Sequence, residues 1–214
     1  NIRSLSFHNC KFIGSYLEFE DINSPDFLLG FFDCSIEIEL EIKNCDFKRL
    51  GFRDIKSNKS INIQHGKYSD FFFKNNNLNA KKENLLNGNF NISHLNISKK
   101  FEMDYINHVN GNFNFSDNMI SIIESESEEL INFQNSTFNN AKFINSKFNS
   151  KTSFEEMEII KTCVFEKCEF NKVNFSNLII GKISFFDCKF IKTSVFHYIE
   201  GDISSNISFE SCLF

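Results

Sequence analysis

Large apolar residues recur every five positions along much of this chain. In the longest unbroken run they are Phe165, Phe170, Phe175, Ile180, Phe185, Phe190 and Val195. The residues two places before them are mostly small or aliphatic: Cys163, Cys168, Val173, Leu178, Ile183, Cys188 and Thr193. A step of five fits neither the 3.6-residue period of an amphipathic helix nor the alternation of a simple strand. The pattern therefore predicts a chain that turns a corner at each step.

Two further stretches keep the same step. One comprises Phe133, Phe138, Phe143 and Phe148, and the other comprises Ile2, Phe7, Phe12, Leu17, Ile22 and Phe27. Four corners close a square coil of roughly twenty residues, and the next coil stacks on it at a strand spacing of about 4.8 Å. Residues one coil apart then form ladders inside a solenoid. The predicted ladder residues are Cys168 with Cys188, Phe165 with Phe185, Phe170 with Phe190, and Phe175 with Val195.

Divided into units of five, residues 162–196 are TCVFE, KCEFN, KVNFS, NLIIG, KISFF, DCKFI and KTSVF. In this frame the chain resembles the pentapeptide-repeat proteins, whose unit has a large apolar centre and a small residue two places earlier. The match is firm over 131–148 and 161–195, although Glu20 and Pro25 occupy positions for small residues near the N-terminus. The resemblance implies an all-β fold, a right-handed parallel β-helix with four sides.

The whole chain, residues 1–214, is predicted to be a single solenoid domain of about ten coils. Its most regular part is 131–195, and its irregular middle spans about 56–130. NGNFNIS (87–93) and NGNFNFS (110–116) lie 23 residues apart and indicate one glycine-marked corner per coil of 20–23 residues. Glycine at such a corner supplies positive φ for a tight bend. Loop insertions are predicted at 74–87, 124–130, 149–160 and 196–208.

Composition narrows the fold class and the partners. With 29 Phe, no Trp, one Pro and eight Gly, extended strands with polar turns are favoured over helices. The net charge is −5 and only three residues are Arg, so we expect no direct binding of nucleic acid. No stretch approaches the roughly 18 apolar residues that span a bilayer. Seven Cys without a CxxC pair or a signal peptide predict reduced thiols and a cytoplasmic location.

The chain has no motif of a catalytic or cofactor site. Its five His share no HxxxH or HExxH spacing, and it has no nucleophile elbow, phosphate loop or dinucleotide fingerprint. The Cys residues fall once or twice per coil, which indicates buried filler beside Phe rather than a metal cluster. A β-helical enzyme acting on acidic polysaccharides is the catalytic alternative, but its coils are usually longer. We expect no enzyme activity, no cofactor and no metal.

An acidic row is the candidate contact surface. In IEIELEI (36–42) the alternation predicts that the apolar residues point inward while Glu37, Glu39 and Glu41 point outward together. Glu18 extends this acidity on an adjoining turn. A partner carrying Lys or Arg would offset the repulsion within the row. The alternative is a solvated face that keeps the chain soluble and discourages strand addition.

These observations predict a rigid scaffold that holds a protein partner, within a larger bacterial protein. The repeat is already present at Ile2 and continues to Phe214, so we expect a segment of a longer chain. An adjoining domain, a cap or a second copy in a homo-oligomer is expected to cover the open coil ends. The family resemblance implies two alternatives. One is an acidic mimic of DNA that binds a type II topoisomerase, and the other is the substrate-binding domain of a bacterial effector ubiquitin ligase.

Overall fold

A computed structural model describes residues 2–74, 84–104, 106–108, 111–120 and 131–214. The chain is an all-β parallel solenoid of about eight turns, and these ranges contain no helix. The sequence predicts about ten coils, a number that the described ranges do not confirm. All pairings between neighbouring strands are parallel, so each segment hydrogen-bonds to the equivalent segment one turn earlier and one turn later. A right-handed coil remains an expectation from the resemblance.

The strands follow one another closely along the chain. The first ten are β1 (Ser4–His8), β2 (Lys11–Phe12), β3 (Tyr16–Glu20), β4 (Asn23–Phe32), β5 (Ser35–Ile36), β6 (Glu39–Lys43), β7 (Asp46–Arg53), β8 (Lys56–Ser57), β9 (Ile61–Lys74) and β10 (Asn84–Leu86). The next are β11 (Phe90–Asp104), β12 (Ile106–His108), β13 (Phe113–Ser116), β14 (Met119–Ile120), β15 (Ile131–Gln134), β16 (Thr137–Ile144), β17 (Lys147–Glu155), β18 (Glu158–Glu166), β19 (Glu169–Phe186), β20 (Lys189–Phe190) and β21 (Ser194–Glu210).

Each turn has four straight sides, and the turn at 28–47 shows the arrangement. Side 1 is 28–32, side 2 is 35–36, side 3 is 39–43 and side 4 is 46–47. Equivalent segments of the other turns stack on these four and are given the same side number. Because side chains alternate along a strand, each side presents one set of residues to the interior and one set to solvent. The long strands β9, β11, β19 and β21 pass through corners and contribute to more than one side.

Phenylalanine ladders fill the interior of the regular region. Phe165 pairs in register with Phe185, and Phe170 pairs with Phe190. The rings stack almost face to face, with centroids 4.9 Å and 5.4 Å apart respectively. Cys188 lies one turn above Cys168, since the N–H of Lys189 donates to the Cys168 carbonyl at 2.9 Å. A Phe side chain contributes roughly 1.5–3 kcal/mol by burial, and stacked pairs add to this.

The predicted pairing of Phe175 with Val195 is wrong by one residue. Phe175 pairs with Phe196, and their rings stack with centroids 5.0 Å apart. Val195 pairs with Asn174 and is 42% exposed. The last turn is one residue longer at this corner, so the five-residue step advances to six and Val195 moves to the outer face. The larger Phe ring therefore occupies the inner position.

The corners rely on left-handed residues other than glycine. Residues with positive φ stand after side 1 and after side 3 in successive turns, as at Asp33, Asn44, Asn145 and Asp187, where φ lies between 47° and 54°. Asn and Asp tolerate this conformation better than other side chains. Gly111 has positive φ, at 100°, whereas Gly88, the equivalent residue of NGNFNIS, does not adopt it. The expectation of a glycine corner with positive φ therefore holds for only one of the two motifs.

Several of the recurring cysteines occupy the position directly after a left-handed corner residue. Cys34 and Cys45 point inward there, and each thiol donates to the carbonyl two residues earlier, at 3.2 Å. Ser146 does the same in the regular region, with its hydroxyl 2.9 Å from the Ile144 carbonyl. A small side chain with a weak donor fits this corner, so Cys and Ser are interchangeable in it.

The parallel register continues through the part of the middle region that the structure describes. Side 1 of β9 pairs with β11, and β11 pairs in turn with β15. The pairing register shifts at two of the predicted insertions. One shift falls between Phe148 and Lys151, at the insertion near 149–160. The other falls between Ile180 and Lys182, whose partners Gly201 and Asn206 lie in the insertion at 196–208. Most of the predicted loop at 74–87 and all of 124–130 lie outside the described residues.

Candidate functional site

The outer face of side 1 carries a groove near the N-terminal end of the solenoid. Three outward columns form it, because residues one turn apart lie above one another. The central column is Ser6, Gly30, Gly51, Phe72 and Glu102. The flanking columns are Leu28, Arg49, Asp70 and Lys100 on one edge and His8, Phe32, Arg53 and Lys74 on the other. The groove has a volume of about 400 Å³, and Gly30 lines it between rows of longer side chains.

Two aromatic rings lie over the glycine floor. A Cβ at Gly30 would come within 2.5 Å of the Phe32 ring, and a Cβ at Gly51 would overlap the Phe72 ring. Absence of a side chain at these positions therefore lets both rings lie along the outer face of the sheet. Each ring is half-buried, although its position points away from the core. The result is an apolar strip between charged residues of the flanking columns.

Arg53 is held in place by the edge column. Its guanidinium carbon lies 4.6 Å from the centroid of the Phe32 ring, and the His8 ring stacks on Phe32 at 4.8 Å. This stacking orders the guanidinium group beside the ring. Among the residues that the structure describes, no carboxylate forms an ion pair with Arg53.

The remaining charges of the groove are paired with one another. Arg49 contacts Asp70 at 3.2 Å, while Lys74 and Lys100 contact Glu102 at 2.9 Å and 2.7 Å. Burial raises the pKa of Glu102, but hydrogen bonds from Lys100 and Lys74 outweigh burial and leave that pKa below its usual value. Four cations and two carboxylates thus give the groove a net positive charge in a chain of net charge −5.

The acidic row is divided between two sides of the solenoid. Ile36, Ile38, Leu40 and Ile42 are buried, as the alternation predicts. A corner falls between β5 and β6, however, so Glu37 does not lie in a row with Glu39 and Glu41. Strict alternation could not reveal this corner, because inward and outward residues alternate on both sides of it. Glu18 pairs in register with Glu41 and does extend the acidity of side 3.

Neighbouring side chains offset much of this acidity. The Tyr16 hydroxyl donates to Glu41 at 2.5 Å, and Lys43 contacts Glu18 at 3.3 Å and Glu20 at 2.8 Å. Hydrogen bonding to Glu41 raises the pKa of Tyr16, and hydrogen bonding to Glu20 raises the pKa of Lys43. On side 2, Glu37 pairs with Lys11 at 3.0 Å. The repulsion that a basic partner would relieve is therefore already reduced within the chain.

Cysteine and histidine form no candidate metal centre in the described ranges, where no three His, Cys, Asp or Glu side chains gather around a common point. The seven cysteines are free thiols. Burial raises the pKa of Cys163, and the hydrogen bond with Cys188 together with burial raises that of Cys168. The described part of the chain also contains no helix of the length and apolarity that a bilayer span requires.

The sequence contains a signal for the groove that the five-residue step did not reveal. LLGFFD (28–33) recurs as RLGFRD (49–54) after 21 residues. In each motif the glycine and the residue two places after it both face outward. A glycine between two inward apolar residues of a strand marks a site of close approach. Two of the three Arg residues fall in this pair of motifs.

Comparison with known proteins gives the chain no relative. No family model, no curated protein and no solved structure matches it. The parallel solenoid is consistent with a pentapeptide-repeat β-helix.

Proposed function

We propose that the chain is a non-catalytic interaction module, a rigid scaffold that binds a protein partner through the groove on side 1. Arg53 carries this proposal, because an ordered guanidinium without a carboxylate partner in the described residues stands beside a half-buried aromatic strip. Arginine and aromatic residues are the side chains that contribute most to protein interfaces. The stacked turns hold the groove on strands rather than on loops, so little ordering is required on binding.

The state of the groove carboxylates favours binding over catalysis. A general base works best with a pKa near the operating pH. Glu102 has a lowered pKa and is shared by two lysines, and Asp70 is paired with Arg49. Glu102 therefore stays ionised, and both carboxylates are engaged in ion pairs, which suits a positioning role for the cations around them.

The wider setting remains part of the proposal. The five-residue step supports membership of the pentapeptide-repeat family, and the seven free thiols support a cytoplasmic location. A bacterial source belongs to the proposal as well. Apolar residues are exposed at both coil ends, among them Ile2 at 79% and Phe214 at 71%. A cap, an adjoining domain or a second copy at the open coil ends also belongs to this proposal.

The test is site-specific photocrosslinking from three outward positions. A photoreactive amino acid is placed at Ser6 on the groove rim, at Glu39 on the acidic side, and at the exposed Lys182 on side 3 as a control. Irradiation in an extract of the producing cells should give one discrete protein adduct from Ser6 only. The adduct should disappear when Arg53→Gln is combined with the Ser6 probe. If adducts formed from Glu39 alone, the partner would bind the acidic side instead of the groove. If no position gave an adduct, the proposal that the chain is an interaction module would be refuted.

A further inference from the structure

The groove floor offers a ligand no backbone hydrogen bonds. Gly30 and Gly51 pair with each other and with Ser6 and Phe72 in the parallel ladder, so their N–H and C=O groups are used within the sheet. The floor therefore presents only fully hydrogen-bonded backbone and the Phe32 and Phe72 rings. A sugar with many hydroxyl groups would find few partners there, whereas an apolar side chain would lose nothing on entering.

The groove edge offers one specific polar contact. The guanidinium of Arg53 can donate two parallel hydrogen bonds to a planar oxyanion, and its stack on Phe32 fixes the direction of approach. Lys74 stands one turn above Arg53, with its amine 5.5 Å from the Phe72 ring centroid. Lys74 is already paired with Glu102, so it adds positive potential but no free charge. A single carboxylate of the ligand can therefore pair with Arg53 and neutralise its charge.

The distance between Arg53 and the Phe72 ring determines how far apart two contacting side chains of a bound peptide must be. Arg53 and Phe72 lie in adjacent turns, and Phe72 is two residues before Lys74, the register partner of Arg53. Their Cα atoms are therefore roughly 8 Å apart on the diagonal of the sheet. In an extended peptide, side chains two residues apart share one face at roughly 7 Å, whereas adjacent side chains point in opposite directions.

We propose that the groove binds an extended peptide segment of the partner in which an acidic residue and an apolar residue are separated by one position. The carboxylate forms a bidentate pair with Arg53, and the apolar side chain rests on the Phe72 ring, which covers Gly51. This assignment rests on the proposed function, because it names the part of the partner that the groove holds. The acidic side of the solenoid plays no part in this contact.

A peptide array measures this preference directly. The peptides hold one Glu and one Leu in a Gly-Ser frame, adjacent, one apart or two apart, with Gln for Glu and Ser for Leu as controls. The full chain is labelled and applied to the array, and soluble oligogalacturonate serves as an acidic saccharide competitor. The one-apart Glu and Leu peptides should bind best, and oligogalacturonate should not displace the chain.

Two matched variants locate the contact. Arg53→Gln should weaken binding to the best peptide about tenfold or more, since a charge-assisted pair contributes about 1.5–3 kcal/mol. Arg3→Gln removes the same charge outside the groove and should change binding less than about twofold, the range of a distant surface charge. Retained binding in Arg53→Gln, absence of a spacing preference, or displacement by oligogalacturonate would each overturn the assignment. If the Ser6 crosslink is obtained while the array is blank, the peptide assignment fails and the proposed function stands.

Discussion

The turns at 131–190 and the turns at 28–74 have similar interiors and different exteriors. Inside, both regions stack Phe on Phe, as in Phe31 on Phe52 at 5.1 Å and Phe143 on Phe165 at 4.6 Å. Outside, the central column of side 1 is Asn132, Ser153 and Asn174 in the regular region. In the N-terminal region the same column is Gly30, Gly51 and Phe72.

The comparison separates the residues that set the fold from those that give one surface its character. Inner residues are constrained by ladders, because a change in one turn disturbs the turns above and below it. Outer residues on side 1 are free to vary, and there the N-terminal region departs from small polar residues. In the central column of side 1, two successive turns carry glycine, which is smaller than the polar residues of the regular region, and the next turn carries phenylalanine, which is larger. Together they produce a groove that the regular region lacks.

The largest expected effect tests the inner ladder of the regular region. Phe170 is fully buried and stacks between Phe148 and Phe190, at 5.0 Å and 5.4 Å. Phe170→Asp places an unpaired carboxylate in this ladder and should cost more than about 4 kcal/mol of unfolding free energy, enough to prevent folding. Phe170→Leu, the matched control, should cost about 1–1.5 kcal/mol. Urea denaturation followed by circular dichroism measures both, and a soluble Asp variant with unchanged midpoint would contradict the ladder.

Glycine substitution sharpens the contrast between interior and exterior. A Cβ at the buried Gly66 would lie 2.5 Å from the Tyr68 hydroxyl and 2.8 Å from the Cys45 carbonyl oxygen. Because neither neighbour can move freely, Gly66→Ala should cost about 2 kcal/mol. In Gly51→Ala the three atoms nearest to the added Cβ all belong to the outward Phe72 ring, which can swing aside, so its cost should stay below about 1 kcal/mol. Differential scanning calorimetry of the two variants should rank them in this order, and the reverse order would refute the assigned faces.

A buried histidine gives the middle region a pH-dependent stability. His108 is buried, its Nε2–H donates to the Gly88 carbonyl at 2.8 Å, and its Nδ1 has no partner among the described residues. Burial lowers the pKa of His108 below its ordinary value of about 6.5. The unfolded chain therefore binds a proton at a higher pH than the folded chain, so stability falls as pH drops below about 6.5.

The matched variant isolates this contribution. His108→Leu should lower stability at neutral pH by about 1–3 kcal/mol, through the lost hydrogen bond to a buried carbonyl. It should also flatten the fall in unfolding free energy between pH 7.5 and pH 5.5 relative to the parent chain. Urea denaturation at stepped pH measures both quantities. Parallel curves for the two chains would show that His108 does not carry the pH dependence.

The smallest expected effect concerns a buried hydroxyl. Tyr68 is fully buried, and its hydroxyl has no hydrogen-bond partner in the described part of the chain. Tyr68→Phe removes an unsatisfied polar group, so stability should stay equal or rise by about 1 kcal/mol. Thermal melting of the two chains is the measurement. A loss above about 1 kcal/mol would mean that the hydroxyl finds a partner in solution.

The sequence predicted the interior better than the exterior, for a physical reason. Burial demands large apolar residues at a fixed step, so the ladders of Phe165 and Phe170 could be assigned from spacing alone. Corners that gain a residue leave the apolar character of the neighbours unchanged, which is why Val195 was placed inside instead of Phe196. The groove combines residues from turns 21 residues apart, and its Gly and Arg occupy outward positions that the five-residue apolar step does not mark. Sequence reasoning therefore favoured the contiguous glutamates of 37–41, whose charge the folded chain largely offsets.

The most direct test of the account is the NMR environment of Gly51 in the folded chain. Gly51 is predicted to show amide cross-peaks to Gly30 and Phe72, its partners one turn below and above. One of its Hα protons should be shifted upfield by the Phe72 ring, and Phe72→Leu should remove that shift without removing the amide cross-peaks. Cross-peaks to other residues, or an Hα at its ordinary position in the parent chain, would contradict both the parallel stack and the groove built on it.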